Sequence, residues 1–170
     1  MKNVTGISIA LAVALTISCG ATPARAGATD DAEIKALEAR FVKALEAKDV
    51  DAIMANYVPG DSLVVFDVLP PRQYVGWDAY KKDWQGFLGS CAGPVKVELS
   101  DLSVTADGKL GYGHNIQRLT CSTANGTVQD FTTRVTDGYE KRDGKWLIAH
   151  EHVSVPVDLA TGKADLSSKP

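Results

Sequence analysis

The chain has 170 residues, of which 45% are hydrophobic and 23% are charged, and its formal net charge is −3. This length is typical of one domain with a single hydrophobic core. The acidic balance and the lack of a basic segment argue against nucleic acid as a partner, because phosphate groups bind to positively charged surfaces.

The first 26 residues have the pattern of a secretory signal peptide. Lys2 precedes a run of small and apolar residues at 7–17, and residues 24–26 match an Ala-x-Ala cleavage site. The run is too short for a membrane span, which needs about 20 apolar residues. Lipidation of Cys19 is the alternative. We therefore expect a periplasmic or secreted protein that does not contact the membrane after cleavage.

The spacing of apolar residues predicts two helices in series at the start of the domain. Asp30 and Glu33 form a capping-box pattern, so the first helix should run from about 30 to 47. Its apolar positions are Ile34, Leu37, Phe41 and Leu45. Asp49 can cap a short second helix, which the Pro-Gly pair at 59–60 must end.

A short strand and an aromatic helix follow. Residues 63–66 form an apolar strand with Asp67 at its exit, and residues 73–75 can form a brief edge strand. A third helix, which Gly89 closes, carries one stripe of apolar side chains. These are Trp77, Tyr80, Trp84, Phe87 and Leu88. Most of them should belong to the core, and one or two can line a cavity.

From residue 94 onward the pattern changes to strict alternation with turn signals at regular intervals. Four antiparallel strands are predicted, at about 94–105, 110–122, 127–142 and 145–156. The Asn-Gly and Asp-Gly pairs between them favour two-residue hairpins, because both central residues need positive φ. We therefore expect an α+β domain over residues 27–156, followed by a polar arm at 157–170.

Two-residue turns at 125–126 and 143–144 would fix the register of the last three strands. They place His114 and His150 on either side of Asp137 in one row across the sheet. Because side chains alternate, the same face should carry most of the apolar residues together with Tyr112, Arg118 and His152. This is the natural core side, so the three histidines should point inward, toward the helices.

The opposite face of the predicted sheet has a mixed polar and aliphatic character. Its polar side chains include Gln117, Thr132, Arg134 and Glu151. Such a face can pack against the sheet of a second copy, so we expect a homodimer. A solvated face is the alternative.

Cys91 and Cys121 are the only cysteines outside the predicted signal peptide. A two-residue turn at 107–108 would place Cys121 opposite Pro94, three residues from Cys91. An even pair in an exported protein is a disulfide candidate. We expect this disulfide, and two buried free thiols are the alternative.

Three segments resemble the SnoaL-like and ketosteroid-isomerase-like members of the nuclear-transport-factor-2-like superfamily. Residues 40–42 with 47–53 are similar to its opening helices, and residues 74–79 resemble the start of its third helix. Residues 143–154 resemble its last hairpin, which also occurs in the association domain of calcium/calmodulin-dependent kinase. The resemblance implies a cone-shaped fold with three N-terminal helices packed on a curved antiparallel sheet.

The resemblance also implies roles for individual residues. Asp67 matches the general base of ketosteroid isomerases, and Asp137 approximately matches their protonated oxyanion-hole aspartate, a system that is a standard example of a neutral buried carboxyl. The oxyanion-hole tyrosine of the first helix is Phe41 here. A missing oxyanion donor removes about 3 kcal/mol of transition-state stabilisation, so the isomerase chemistry is not expected intact.

Two main functions remain open for this domain. The first is the binding of a small organic molecule in the cone cavity. Its expected ligand-binding residues are His114, Arg118, His152, Trp77, Tyr80, Trp84 and Tyr112. The second is acid–base catalysis of an isomerase or cyclase type by Asp67 and an Asp137–His150 pair, because a carboxylate fixes the imidazole tautomer needed for proton transfer.

Three further alternatives remain open. The fold can also serve as a non-catalytic dimeric assembly module, since this superfamily hosts hubs as well as enzymes. His150 and His152 with His114 or Asp137 could hold zinc, but the resemblance does not suggest a metal and none is expected. The histidines could instead only satisfy buried polar groups. No organic cofactor is expected, because no glycine-rich phosphate loop occurs.

Overall fold

A computed structural model describes residues 24–168 as one helical layer on one large sheet. The helices are α1 (Ala24–Glu46), α2 (Val50–Met54) and α3 (Trp77–Ser90). The strands are β1 (Val64–Phe66), β2 (Tyr74–Val75), β3 (Lys96–Asp107), β4 (Leu110–Ser122), β5 (Val128–Arg142), β6 (Lys145–Ser154), β7 (Val157–Asp158) and β8 (Lys163–Ala164). Cys19, the alternative lipidation site, lies outside the described residues, as does the predicted signal peptide except for residues 24–26.

Helix α1 begins at Ala24, earlier than the capping-box pattern predicted. Asp30 is therefore inside the helix and not its cap. Its buried carboxylate accepts hydrogen bonds from Lys141 Nζ at 2.7 Å and from Trp146 Nε1 at 3.3 Å. The local pattern assigned the Asp30 side chain to the start of the helix, but it instead binds residues of β5 and β6.

The other helix boundaries follow the local sequence signals. Asp49 caps α2, and its Oδ1 accepts a hydrogen bond from the Ala52 amide at 2.9 Å. Helix α3 begins directly after Gly76, whose φ of 91° is accessible mainly to glycine. The predicted second helix and the aromatic third helix are both confirmed.

The large sheet has six strands in the order β2-β1-β6-β5-β4-β3. The pairs within the β3 to β6 meander are antiparallel, but β1 pairs with β6 in parallel, so the sheet is mixed and not purely antiparallel. One-residue irregularities interrupt the pairing of β3 with β4 and of β5 with β6. Bulges of this kind bend a sheet locally and re-aim its side chains.

The core lies between the helices and one face of this sheet. Helix α1 contributes Ile34, Leu37, Phe41 and Leu45, all of which are buried. The sheet contributes residues such as Val104, Val135, Tyr139, Trp146 and Ile148. The α+β class and the packing of the helices on one sheet face are therefore confirmed.

The C-terminal segment is ordered over most of its length. Strands β7 and β8 form a separate two-stranded hairpin, and the chain then returns to the large sheet. The Thr132 amide of β5 donates a hydrogen bond to the Leu166 carbonyl at 2.9 Å. Residues 157–168 are therefore a folded element and not the free arm that their polarity predicted.

Two further features concern covalent and membrane constraints. Cys91 and Cys121 form a disulfide with a Cα–Cα distance of 5.7 Å, which joins the end of α3 to the end of β4. Between residues 24 and 168, no helix combines the length and apolarity that a membrane crossing requires. The predicted disulfide is confirmed.

Candidate functional site

A cavity of about 540 Å³ lies between the helices and the inner face of the sheet. Its walls are mainly aromatic and aliphatic, with aromatic side chains from α1, α3 and β5. These are Phe41, Tyr80, Trp84, Phe87 and Phe131. Leu166 from the C-terminal segment lines the same cavity and is 44% exposed. The size and lining are those of a site for a small organic molecule.

The aromatic walls support one another through edge-to-face contacts. Trp84 is central, with ring centroids 5.8 Å from Phe41, 5.7 Å from Tyr80 and 6.1 Å from Phe87. Phe87 in turn contacts Phe131 across the cavity at 6.2 Å. Such contacts add stabilisation beyond the burial of area and hold each ring in one orientation. The apolar wall is therefore one connected set of packed rings.

The polar end of the cavity is built around Glu151 on β6. Its carboxylate accepts hydrogen bonds from the Tyr57 hydroxyl at 2.7 Å and from the Tyr80 hydroxyl at 2.6 Å. Tyr57 follows α2 and Tyr80 lies on α3, so one side chain links the sheet to two helical segments. All three residues are at least 96% buried.

Asp67, at the exit of β1, is the second carboxyl of this end. Its Oδ2 lies 3.4 Å from the Tyr80 hydroxyl and its Oδ1 accepts a hydrogen bond from the Leu69 amide at 3.3 Å. Both contacts are long for hydrogen bonds. Burial raises the pKa of Asp67 above that of an exposed aspartate, and the nearby Asp83 adds to this.

A second pair of carboxyls lies behind the cavity lining. The Tyr139 hydroxyl donates to Glu38 on α1 at 2.9 Å and lies 3.4 Å from Asp137 Oδ2. Asp137 is 1% exposed, and its Oδ1 has no hydrogen-bond partner among the described residues. Because Asp137 pairs across the sheet with Glu151, the two groups form one continuous set. We call it the acid–tyrosine cluster: Glu38, Asp67, Asp137 and Glu151 with Tyr57, Tyr80 and Tyr139.

Burial controls the protonation of this cluster. Removal from water raises the pKa of Glu38 and of Glu151 to about 7, although tyrosine hydrogen bonds oppose the shift. Burial, together with the charges of Glu151 and Glu38, raises the pKa of Asp137 well above its usual range. The cluster therefore holds protons at neutral pH, where exposed carboxyls are ionised.

The structure brings some of the predicted site residues to the cavity and not others. Asp67, Tyr80 and Trp84 line it. Asp137 faces inward and lies behind the lining. Trp77 is not among the lining residues, and its indole Nε1 donates to the Met54 carbonyl at 2.9 Å. The roles of these residues in binding or catalysis stay predictions.

The predicted inward row of histidines is wrong on the β4 side. The turn between β4 and β5 contains three residues, 124–126, and Thr123 pairs with Thr127. Within it, only Gly126 has positive φ, since Asn125 does not, so the expected two-residue turn does not form. Every partner on β4 shifts by one residue.

Because of this shift, Gly113 and not His114 lies opposite Asp137. A Cβ on Gly113 would meet the Tyr139 hydroxyl at 3.1 Å, so the glycine leaves room for that group. His114, Arg118 and Tyr112 move to the outer face. Arg118 there pairs with Asp130 at 2.8 Å and with Glu98 at 3.7 Å, and Tyr112 is 57% exposed.

The row is also wrong on the β6 side, for a different reason. The turn at 143–144 forms as predicted, with positive φ at both residues. Ala149 is then an extra residue in β6, so that Asp137 pairs with Glu151 and not with His150. His150 and His152 lie on the outer face beside Phe66. Their ring centroids are 5.0 Å and 5.7 Å, respectively, from the Phe66 centroid. His150 Nδ1 contacts the Val64 carbonyl at 2.8 Å.

The corrected register also bears on the predicted dimer surface and on the alternative of a metal site. Gln117 and Glu151, which were placed on the dimer face, line the cavity, whereas Thr132 and Arg134 remain outside it. The predicted dimer surface is therefore wrong as composed, and the homodimer itself stays a prediction. Within residues 24–168, no three His, Cys, Asp or Glu side chains are grouped to hold a metal ion.

Sequence reasoning missed Glu38 and Glu151 as site residues. Glu38 follows Ile34 by four positions and precedes Phe41 by three, so it lies on the apolar stripe of α1. A charged residue on such a stripe was a signal for a buried polar group. Glu151 gave no comparable signal, because the uncorrected register placed it on the outer face.

Comparisons with known proteins agree on the fold. The family model of the SnoaL-like domain matches residues 34–158. A nuclear-transport-factor-2-like protein of unknown function from Pseudomonas putida is 34% identical, with a TM-score of 0.75, over 84% of this chain and 98% of that one. No curated protein sequence matches the chain significantly.

Two more distant structures carry functional names. A candidate calcium/calmodulin-dependent protein kinase II association domain from Xanthomonas campestris is 25% identical, with a TM-score of 0.62, over 72% of this chain and 84% of that one. A candidate scytalone dehydratase from Novosphingobium aromaticivorans is 14% identical, with a TM-score of 0.68, over 76% of this chain and 86% of that one. At 14% identity the second similarity concerns the fold alone. The match along most of the chain and the close structural relative place this protein in the SnoaL-like family of the nuclear-transport-factor-2-like superfamily.

Proposed function

We propose that the protein binds a small, largely apolar organic molecule in its cone cavity. The observation that carries the proposal is a cavity of about 540 Å³ with aromatic walls in contact with one another and a polar end at Glu151, Tyr80 and Asp67. Aromatic walls supply the binding energy, and a few polar groups orient the ligand. This proposal requires no chemistry and no partner.

Two glycines on α3 provide a matched test. Gly86 lines the cavity and Gly89 does not, and an added Cβ at either position would meet no atom within 4 Å. A phenylalanine at 86 should fill part of the cavity, whereas at 89 it should not. Both changes replace a helical glycine, so their effects on helix stability should be similar.

The measurement is the fluorescence of N-phenylnaphthylamine, a neutral aromatic probe. We expect the wild type and Gly89→Phe to bind the probe with similar affinity, and Gly86→Phe to bind about tenfold more weakly, or about 1.4 kcal/mol. Absence of probe binding to the wild type, or equal binding to both variants, would contradict the proposal. Thermal melting of each variant controls for folding.

A second candidate function is proton transfer in the same cavity. It is favoured by the Tyr80 hydroxyl, which lies between the carboxyls of Glu151 and Asp67. An ionised Asp67 could accept a proton from a bound carbon acid, while Tyr80 or protonated Glu151 donates one to the developing oxyanion. The pairing of Asp137 with His150 plays no part, because His150 faces outward.

Deuterium uptake from heavy water into a panel of enolisable ketones, followed by NMR, tests this second function. Asp67→Asn should abolish uptake. Asp83→Asn is the matched control, because Asp83 also lines the cavity but accepts its hydrogen bond from the Tyr74 hydroxyl at 2.6 Å. Equal uptake by the wild type and Asp67→Asn would exclude Asp67 as the base.

We also propose that the protein acts outside the cytoplasm, in the periplasm or the medium. The Cys91–Cys121 disulfide supports this, since structural disulfides persist in oxidising compartments. The N-terminal pattern of residues 1–26 supports it as well. Cell fractionation with N-terminal sequencing is the test. Recovery of the uncleaved chain in the cytoplasm, with both thiols free to alkylation, would contradict the proposal.

A further inference from the structure

The acid–tyrosine cluster contains fewer hydrogens than its oxygen atoms can accept. Each tyrosine hydroxyl carries one hydrogen. The Tyr80 hydroxyl lies 2.6 Å from Glu151 and 3.4 Å from Asp67, so it donates its hydrogen to Glu151. The Tyr139 hydroxyl likewise donates its hydrogen to Glu38 at 2.9 Å, and Asp137 lies farther from it, at 3.4 Å. Asp67 is then left with the Leu69 amide at 3.3 Å, and Asp137 Oδ1 has no hydrogen-bond partner among the described residues.

The charged residues that line the cavity do not correct this deficit. Three of them are acidic, namely Asp67, Asp83 and Glu151. Lys82 is the one basic residue of the lining, and its side chain is on the exposed side of α3. Each of these carboxyls that ionises makes the field inside the cavity more negative, and low-dielectric walls strengthen that field.

The aromatic walls favour the same sign of charge. An aromatic ring presents a negative face and a positive edge. Trp84 contacts three aromatic neighbours edge to face, and it lies beside Tyr80, whose hydroxyl reaches Glu151. A cation over the face of one of these rings would be attracted by it, in addition to the attraction of an ionised carboxylate.

We propose that the ligand is an organic cation, such as a protonated amine attached to an aromatic or alicyclic body. The ammonium group would supply hydrogens to Glu151 and Asp67, and the apolar body would lie against the rings of α3. The inference rests on the proposed binding function and adds the charge of the ligand. A carboxylate ligand would be repelled by these carboxyls where they are ionised, and a neutral hydroxyl could donate one hydrogen but would bring no positive charge.

A cation at this place should also release protons from the protein. Glu151 is faced by Tyr57, Tyr80, Asp67 and Asp137, and Glu38 lies beyond Tyr139. No basic residue is among these neighbours in the described part of the chain. A bound ammonium lowers the pKa of Glu151 from about 7. At about pH 6 most molecules carry the proton on this carboxyl, so binding should release close to one proton.

The test uses ligands with one body and three head groups: naphthylmethylamine, naphthylmethanol and naphthoate. Calorimetry on the wild type should show the amine binding about ten- to a hundredfold more tightly than the alcohol, the range for hydrogen bonds to charged groups. Naphthoate should bind most weakly. In two buffers of different ionisation enthalpy, only the amine should show proton release.

A matched pair of variants locates the effect. Glu151→Gln should remove most of the preference of the amine over the alcohol, while Glu98→Gln, on the exposed outer face, should retain it. If Glu151→Gln does not fold, the head-group series and the proton count on the wild type decide the question without it.

The outcomes separate this inference from the proposed function. Tight binding of the alcohol or of naphthoate, without preference for the amine, would overturn the cation inference and leave the binding function standing. Amine binding without proton release would also overturn it. If none of the three ligands binds and N-phenylnaphthylamine does not bind either, both the cavity function and the inference fail.

Discussion

The stability of the protein should fall as the pH rises from about 5 to 8, and Glu38→Gln should reduce this fall. Glu38 is the appropriate group because it is 2% exposed and does not line the cavity. Its pKa is raised from 4.5 to about 7 by burial. The glutamine keeps the size of the side chain and an oxygen that can accept the Tyr139 hydrogen bond.

The sign and size follow from proton binding in the two states. Below about pH 4.5 Glu38 carries its proton whether the chain is folded or unfolded, so it adds no pH dependence. Between pH 4.5 and about 7 the unfolded chain releases the proton and the folded chain retains it, so stability falls by about 1.4 kcal/mol per pH unit. Above the folded pKa the loss stops, at about 3 kcal/mol for this group.

Glu151 follows the same course, because its pKa is also raised to about 7. Asp137, whose pKa lies well above its usual range, extends the loss to higher pH. The three carboxyls interact, so their losses are shared and do not simply add. A domain is typically stable by only about 5–15 kcal/mol. A loss of about 3 kcal/mol or more by pH 8 is therefore easily measured.

Urea unfolding at several pH values, followed by tryptophan fluorescence, is the assay. We expect the wild type to lose at least about 3 kcal/mol between pH 5 and 8, and Glu38→Gln to lose about 2–3 kcal/mol less. Glu98→Gln, a matched change on the outer face, should follow the wild type. A wild-type stability that is flat or rises over this range, or a Glu38→Gln slope equal to the wild-type slope, would refute the reasoning.

Other parts of the structure give three further predictions. Replacing Cys91 and Cys121 with serine opens a loop of 30 residues and should lower the free energy of unfolding by about 3–4 kcal/mol, as should reduction with dithiothreitol; equal melting temperatures would contradict this. Asn115→Leu should be neutral or stabilising by up to about 1 kcal/mol, because neither amide atom has a partner among the described residues; a loss above 2 kcal/mol would reveal one. Deleting residues 157–170 removes Leu166 from the cavity and should weaken N-phenylnaphthylamine binding with little change in melting temperature; unchanged affinity would exclude a role for this segment.

The order and kind of the secondary-structure elements could be predicted from the sequence because local signals specify them. Asp49 caps α2 through its own side chain, and the Asp-Gly pair at 143–144 forms a tight turn with positive φ at both residues. Both features depend on residues within a few positions of one another. The disulfide was also predictable. The predicted turn at 107–108 is wrong, because Asp107 pairs with Leu110, so the register of β3 with β4 differs by one or two residues from the prediction. Even so, that register brought the two cysteines to the same end of the sheet.

The faces of the strands could not be predicted with the same success. An Asn-Gly pair permits a two-residue turn but also fits a three-residue loop with glycine in the left-handed region. The Asn125 side chain favours the longer loop here, since its Oδ1 accepts hydrogen bonds from the Thr123 hydroxyl at 2.6 Å and the Thr127 amide at 3.1 Å. The choice of one residue more or less sends every side chain of β4 to the other face.

The bulge at Ala149 has no comparable local signal. It lies in the middle of β6, where residues before it keep the predicted pairing with β5 and residues after it are shifted. The shift places His150 against β1 and turns Glu151 into the core, beside hydroxyls from two separate helical segments. Those partners are distant in sequence, so only the assembled fold shows that a carboxyl is acceptable there.

The structure places Glu151 at the cavity, where the sequence predicted His150. This difference changes the chemistry of the cavity more than its shape. A buried imidazole can remain polar and neutral at pH 7, whereas a buried carboxylate must be paired, hydrogen-bonded or protonated. Two tyrosines hydrogen-bond Glu151, and its pKa is still raised to about 7, so the pairing offsets only part of the cost of burial. A site in this condition gains most from a ligand that brings positive charge and hydrogens. The charge of the ligand, more than the shape of its apolar body, should therefore determine what this cavity selects.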